Sequence, residues 1–330
     1  MDSAVKIRGI NAQQRFLIDD ESKVGEARRA AQTLASFEFT AEIAGKVAIA
    51  ATELARNLLR HARGGELLVQ QLEDGQNAAI ELLAIDRGPG MRDVARCMTD
   101  GYSTAGTPGT GLGAVRRLAG EFDIHSAPGH GTIVMARFGD VLTTRFGAVS
   151  VAMEGEIECG DSWHLEHRGD ETALFVVDGL GHGTFAAAAA HEAVGAFDAA
   201  PFDQPQDVMT RANGHLSKTR GGAAACARVS GNRVSYAGVG NISGALVAHE
   251  KSQGLVSHNG TLGINHRATQ QFEYTRAPGA LLVMHTDGIS ARWDLKHQPD
   301  VLVSHPAIVA AMLYRDHARG RDDATVVVLA

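Results

Sequence analysis

Three aspartates, far apart in this sequence, each stand at the end of an apolar run. Asp178 follows Ala173-Leu174-Phe175-Val176-Val177 and opens Gly179-Leu180-Gly181-His182-Gly183. Asp287 follows Leu281-Leu282-Val283-Met284-His285-Thr286 and precedes Gly288, while Asp322, with Asp323 beside it, comes just before Thr325 to Leu329. A carboxylate at the end of a buried strand packs poorly but suits a hard divalent cation such as Mg²⁺ or Mn²⁺, which takes oxygen ligands and keeps waters. A single Asp-Gly is ordinarily a turn; three strand-end acids point to one shared cation site. Asp323 reads as a second ligand or, preferably, as a turn residue only. His182 reads as either a general acid or an exposed turn residue.

A second constellation lies earlier. Glu53, Asn57 and His61 recur at four-residue intervals, forming a polar row on a helix-like stretch, Ala41 to Ala62, whose other face carries Val47, Ile49, Leu54 and Leu58. Asn57 offers Mg²⁺ a neutral oxygen, and Glu53 can take a proton from an attacking hydroxyl. The alternative is a solvated helix face. Downstream, Asp86-Arg87-Gly88-Pro89-Gly90 sets an acid at a strand end, where it can accept a hydrogen bond from the exocyclic amine of adenine beside glycines that admit the flat base. The cluster Gly106-Thr107-Pro108-Gly109-Thr110-Gly111-Leu112-Gly113 would turn backbone N–H groups toward phosphates, and Gly129-His130-Gly131-Thr132 makes a further turn.

These residues need strands and helices to hold them. Apolar spacing predicts short strands at Val5 to Ile7 and Arg15 to Ile18, a helix over Val24 to Phe37 with Ala30, Leu34 and Phe37 on one side, and the helix Ala41 to Ala62. A hairpin around Glu73-Asp74-Gly75, the strand Ala78 to Ile85, a helix Ala114 to Ala119, and strands Phe122 to Ser126 and Thr132 to Phe138 complete an α/β unit. Gly139 to Arg145 reads as a boundary. Beyond it come strands at Phe146 to Met153, Ala224 to Val229 and Val234 to Val239, helices at Ala186 to Phe197 and Val208 to Leu216, and the turn Arg220-Gly221-Gly222-Ala223.

Composition limits the function classes. The 330 residues suit two domains, and 44% hydrophobic with 21% charged residues is the balance of a folded globular chain. A net charge of -7 without a long basic run argues against nucleic acid as a partner. No run of about 18 apolar residues implies a membrane span, and Met1 to Phe16 has no signal-peptide core, so the expectation is a cytoplasmic protein without a membrane partner. Cys97, Cys159 and Cys226 form no CxxC pair and read as reduced thiols.

The ordered motifs of the first 140 residues resemble the GHKL ATPases of the Bergerat fold, and within them the RsbT-like serine/threonine kinases. The resemblance rests on Glu53-Leu54-Ala55-Arg56-Asn57, on Asp86-Arg87-Gly88-Pro89-Gly90, and on Asp100 to Gly106 leading into Gly111-Leu112-Gly113 and Val115-Arg116-Arg117-Leu118. It implies Glu53 as catalytic base, Asn57 as Mg²⁺ ligand, Asp86 as adenine contact, and Gly88, Gly90, Gly111 and Gly113, with Thr110 and Thr132, as parts of an ATP pocket and its lid. His61 departs from the RsbT-like pattern toward the wider anti-sigma kinases. The second half is similar to the SpoIIE-like and RsbX-like metal-dependent phosphatases of the 2C class, through Cys159-Gly160-Asp161-Ser162, the Asp178 motif, Gly238-Val239-Gly240-Asn241, His285 to Gly288 and Asp322-Asp323-Ala324-Thr325. It implies that Asp161, Asp178, the Gly179 carbonyl, Asp287 and Asp322 hold Mn²⁺ or Mg²⁺ to activate water, with Asp178 and Asp287 central to catalysis. No Arg stands next to Asp161 as a phosphate clamp.

The expected fold class is therefore α/β (α+β) in two domains: residues 1–140 as a Bergerat α/β sandwich with kinase activity, and residues 141–330 as a 2C-class phosphatase β-sandwich flanked by helices. The expected function is a bifunctional partner-switching regulator that phosphorylates and dephosphorylates Ser or Thr on STAS-domain proteins, RsbS-like, RsbR-like or anti-anti-sigma, in a stressosome-like module with an RsbU-like phosphatase or sigma regulator downstream. The alternative is an ATP-dependent binding module without kinase activity, fused to an active phosphatase.

Overall fold

The computed structural model describes residues 5–98, 111–249, 251–266, 268–295 and 298–330. Two compact units emerge, Gly9–Thr143 and a second made of Thr144–Ala330 with the residues up to Arg8. Among the described residues no helix is long and apolar enough to cross a membrane.

In the unit Gly9–Thr143 the sheet runs in the order Val5–Ile18, Gly65–Asp74, Asn77–Ile85, Thr132–Gly139, Glu121–Ser126. The pairs from Gly65–Asp74 onward are antiparallel, two of them joined by short hairpin connections at 74–77 and 126–132. Helices Glu21–Glu38 and Ala41–Ala62 bury Val24, Ala27, Ala31, Leu34, Val47, Ala51, Leu54 and Leu58 against this sheet's Leu67, Val69, Ile80, Leu82 and Val134. Each helix begins on a side-chain cap, Asp20 accepting from Ser22 N–H and Thr40 from Ile43 N–H. Two assignments to the apolar faces change: Phe37 is 77% exposed and Ile49 is 52% exposed. Neither is among the positions that reach the core, which fall at 24, 27, 31 and 34–35 and at 44, 47–48, 50–51, 54–55 and 58.

Val5–Ile18 is one strand of 14 residues where two short strands are expected. Its first residues, Val5 to Ile7, belong to the second unit, where they pair antiparallel with His167 to Leu165 in that unit's first sheet. That sheet continues through Asp161–Arg168, Glu171–Gly179, Gly222–Ser230, Arg233–Val239 and Ser257–His258. A second sheet runs Ser252–Leu255, Ser243–Val247, Leu281–His285, Ala324–Leu329, Phe146–Val151. Helices Thr184–Asp198 and Pro205–Leu216 pack on the first sheet, and Pro306–His317 on the second. The result is a two-sheet sandwich flanked by helices, its strands antiparallel except for Ser257–His258, which pairs parallel with Arg233–Val239. Around Phe175, Val177, Ala190, Phe197, Met209, Cys226 and Val239, helix and sheet form one continuous apolar cluster.

Candidate active sites

The sandwich brings the acidic strand ends together through its ladders. Asp161 opens one strand and Asp178 closes the next, and antiparallel pairing sets the two residues directly opposite one another. Asp287 follows Leu281–His285, and Asp322 precedes the adjacent strand Ala324–Leu329. Backbone packing at two points tolerates only glycine. A Cβ on Gly179 would lie 2.1 Å from the Ala186 carbonyl oxygen, and one on Gly288 would lie 1.9 Å from that of Asp323.

Side chains not assigned a role from the motifs hold this group. The Thr286 hydroxyl donates to Asp161 Oδ2 at 2.7 Å. Asn241 reaches across the site, its Nδ2 donating to Asp287 Oδ2 at 2.7 Å and Asp178 Oδ2 at 3.4 Å. Asp323 is buried, with Oδ1 accepting from Met153 N–H at 2.7 Å and Oδ2 from Gly160 N–H at 2.8 Å. Behind Thr286, His285 is buried between the indole N–H of Trp293, which donates to Nε2 at 3.1 Å, and the Thr286 carbonyl, which accepts from Nδ1 at 2.8 Å. Those two bonds fix a neutral imidazole, and burial lowers its affinity for a second proton. His182 lies on the exposed turn, paired with Glu156 at 2.7 Å.

The electrostatics record the crowding. Burial, then the charges of Asp287 and Asp322, push the Asp178 carboxyl up to about 7. Burial also raises Asp161 well above the carboxylate range, with Asp178 adding to it and the Thr286 hydrogen bond opposing it. Asp322 is raised by burial and by Asp287. Among the described residues no three His, Cys, Asp or Glu side chains form a ready-made metal cage. What converges is an oxygen-rich group of mutually repelling carboxylates, partly bridged by Asn241. That donor chemistry fits a hard divalent cation that keeps several of its own waters.

In the other unit, Glu53 and Asn57 are half-buried on the Ala41–Ala62 helix and face the start of the helix Gly111–Leu118. A Cβ on Gly111 would lie 3.5 Å from both Glu53 Oε2 and Asn57 Nδ2. Gly111 and Gly113 are helix residues, with the helix starting three positions earlier than spacing suggests. The Asp86 loop packs on the end of the same long helix, since a Cβ on Gly88 would come within 2.8 Å of Ala62 Cα. Asp86 Oδ1 accepts from Gly88 N–H at 2.7 Å and Thr132 N–H at 3.0 Å, which orients its carboxylate. Gly90 lies against Ala127, where a Cβ would meet the carbonyl at 2.0 Å. Thr132 Oγ1 pairs with Ser126 Oγ at 2.9 Å. His61 is exposed at the helix end. Thr110, with the stretch Asp100 to Gly109, lies outside the described residues.

Residues 18–138 match the family of the histidine kinase-like ATPase domain, and residues 168–330 match that of stage II sporulation protein E (SpoIIE). Fold and matches together give the chain two parts, the first with the fold of a GHKL-type ATPase domain and the second with the fold of the 2C-class phosphatases. The serine/threonine-protein kinase RsbT of Bacillus subtilis (strain 168) is 38% identical over 91 residues, which is 28% of this chain and 68% of RsbT. Through that stretch the chain belongs to the RsbT family of serine/threonine kinases. A solved structure from the bacterial stressosome, described as a modular system adapted to control secondary messenger signaling, aligns with a TM-score of 0.53 and 26% identity, over 57% of this chain and 100% of its own. RsbX in complex with magnesium aligns with a TM-score of 0.50 and 21% identity over 56% of this chain and 94% of its own, a likeness of fold.

Proposed function

We propose that this chain switches a signalling partner in both directions, its first domain, 1–140, phosphorylating and its second, 141–330, dephosphorylating Ser or Thr on a STAS-domain protein in the cytoplasm. The observation that carries the reading is the acidic group itself: Asp178 pushed up to about 7 by burial, Asp287 and Asp322 calls for a divalent cation, and the RsbT-family half of the same chain supplies the opposing activity. The stressosome likeness supports the choice of a STAS partner; an RsbU-like phosphatase or a sigma-factor regulator would act downstream of it.

On the phosphatase side, Asp161, Asp178, Asp287, Asp322 and the Gly179 carbonyl would hold Mn²⁺ or Mg²⁺. When bound, such a cation neutralises charge on the phosphoryl group and acidifies a water. The chain's own part is orientation. Thr286 fixes the rotamer of Asp161, Asn241 ties Asp178 to Asp287, and Asp323 fastens the loop that leads into Asp161. On the kinase side, Asn57 would hold the Mg²⁺ of ATP, and Asp86, already oriented by Gly88 and Thr132, would receive the adenine amine. Gly88, Gly90, Gly111, Gly113, Thr110 and Thr132 would shape the pocket. Glu53 takes the proton of the attacking Ser or Thr hydroxyl.

The test uses the intact chain and a purified STAS-domain protein. With ATP and Mg²⁺ the partner is expected to gain one phosphoryl group, and with Mn²⁺ and no nucleotide the phosphoserine form is expected to lose it. Absence of both reactions on a panel of STAS proteins would sink the reading.

A further inference from the structure

Four large apolar side chains are exposed around the turn that carries Asp178: Leu180 at 50%, Phe185 at 67%, Ile264 at 61% and Ile157 at 93%. Single exposed apolar residues are ordinary, but a group collected at one site marks a surface that meets another molecule. Short contacts tie the group together. Leu180 N–H donates to the Gly221 carbonyl at 2.9 Å. Ile264 Cγ1 lies 3.0 Å from the position of a Cβ on Gly221, and Glu156, next to Ile157, accepts from His182 Nδ1 at 2.7 Å.

Arg220 stands within this collar. Its guanidinium carbon lies 4.8 Å over the centre of the Phe185 ring, and Nη1 lies 3.3 Å from where a Cβ on Gly181 would be. Two residues on, Gly222 packs so closely that its Cβ would come 2.5 Å from the Asp178 carbonyl oxygen, and Ala223 pairs with Asp178 in the ladder. Arg220 thus occupies the same sheet end as the acidic group. Among the described residues it has no carboxylate partner.

We propose that Arg220, held over the Phe185 ring, is the phosphoryl-binding residue of the phosphatase site, and that the apolar collar seats the protein that carries the phosphoserine. The inference rests on the phosphatase reading above. The charge argument is direct. Four carboxylates repel a dianionic phosphoryl group even when a cation neutralises part of them, so a further positive group uncommitted to any acid is needed at the rim. A guanidinium offers a planar fork that matches two phosphate oxygens. Stacking on an aromatic face holds that fork ready, which lowers the ordering cost of binding. The sequence offers no arginine beside Asp161; the fold supplies one from the turn after the Pro205–Leu216 helix.

The test measures binding of inorganic phosphate to the Mn²⁺-loaded full chain by calorimetry. Arg220→Ala is expected to weaken phosphate binding about tenfold or more, the range for losing charge-assisted hydrogen bonds. Arg220→Lys should recover only part of the loss, and Phe185→Leu should weaken binding in the same direction by a smaller factor. Mn²⁺ affinity should stay within about twofold in all three. Equal phosphate affinity in parent and Arg220→Ala overturns the proposal, as does a parallel loss of Mn²⁺ binding, which would make Arg220 a structural residue. A parent that leaves a phosphoserine STAS protein intact, while phosphate binding still depends on Arg220, supports the subsite and overturns only the substrate proposed in the preceding subsection.

Discussion

Asp323 accepts the backbone N–H of Gly160 at 2.8 Å, one residue before Asp161, although the two are 163 positions apart in the chain. Its other oxygen accepts from Met153 N–H at 2.7 Å, so a single buried carboxylate fastens both ends of the 153–160 loop. Asp322, immediately before it, projects instead into the acidic group and is raised by burial and by Asp287. Neighbouring aspartates thus do opposite work, one as an acceptor for two N–H groups and one as a member of a repelling cluster.

Asp323→Asn should therefore destabilise the fold, because an amide cannot accept from both N–H groups, and the loss is expected to be about 1–3 kcal/mol. Denaturant melts in chelator measure it directly. Metal affinity should fall as well, since Asp161 loses its anchored approach. A variant as stable as the parent would show that the 153–160 loop is held by other contacts.

Removing charge from the cluster should have the reverse effect on stability. With chelator at pH 8, Asp178→Asn relieves repulsion from Asp287 and Asp322, and its melting temperature is expected to rise by roughly 2–6 °C. The same variant should lose Mn²⁺ binding and phosphatase turnover. Calorimetric scans with and without Mn²⁺ separate the two, because added Mn²⁺ stabilises the parent by mass action and leaves the variant unmoved. A variant less stable than the parent in chelator would contradict the repelling-cluster account.

How much of this was legible depended on range. Asp178, Asp287 and Asp322 announce themselves locally, as acids closing apolar runs, and Asp86 and its glycines do the same. The residues that hold them do not. Asn241 meets Asp178 and Asp287 across strands, and Thr286 meets Asp161 over 125 positions, pairings that only the ladder register creates. Pro306–His317 left no periodic trace because ten of its twelve residues are buried, so no polar face alternates with an apolar one. Phe37 and Ile49 misled for the opposite reason, as large apolar residues at helix angles that face outward. Val5–Ile18 read as two strands because Asn11 to Gln14 interrupts its apolar pattern.

On the kinase side, Glu53→Gln is expected to abolish phosphoryl transfer to the partner, by about 10²–10⁴-fold for loss of a general base. ATP affinity should change little, since Asn57, Asp86 and the glycines remain. Radiolabel transfer and fluorescent-nucleotide binding give the two readouts. Transfer that survives the substitution would leave Glu53 as a helix-face residue and favour a binding module.

Within the first unit, the buried Glu81 accepts from Arg137 Nε at 2.7 Å and from Gln70 Nε2 at 2.7 Å, and Arg137 also reaches Glu121 at 3.2 Å. Removing one partner of such a pair leaves an uncompensated buried charge. Arg137→Ala is expected to cost about 3–5 kcal/mol, while Arg137→Met with Glu81→Leu should recover most of it. Urea unfolding of the three proteins decides, and equal stability of Arg137→Ala and the parent would rule out a dry ion pair.

The last prediction concerns pH. Burial alone would raise the Asp198 carboxyl, but the hydrogen bond and charge of His164 at 2.8 Å, with Lys6 at 3.2 Å, hold it below its ordinary value of 3.8. A carboxyl depressed in the folded state contributes stability that is present above the unfolded value and is lost as pH falls through the folded one. Asp198→Asn should accordingly lower stability at pH 6–7 by about 0.5–1 kcal/mol, the range of a partly exposed ion pair. The difference should shrink as pH drops below 3.8, where the unfolded state takes up the proton first and the folded state follows at lower pH. Chemical melts of the two proteins at pH 6.5 and pH 3 measure it; a difference that persists unchanged at pH 3 would mean that Asp198 acts through packing and not through its charge.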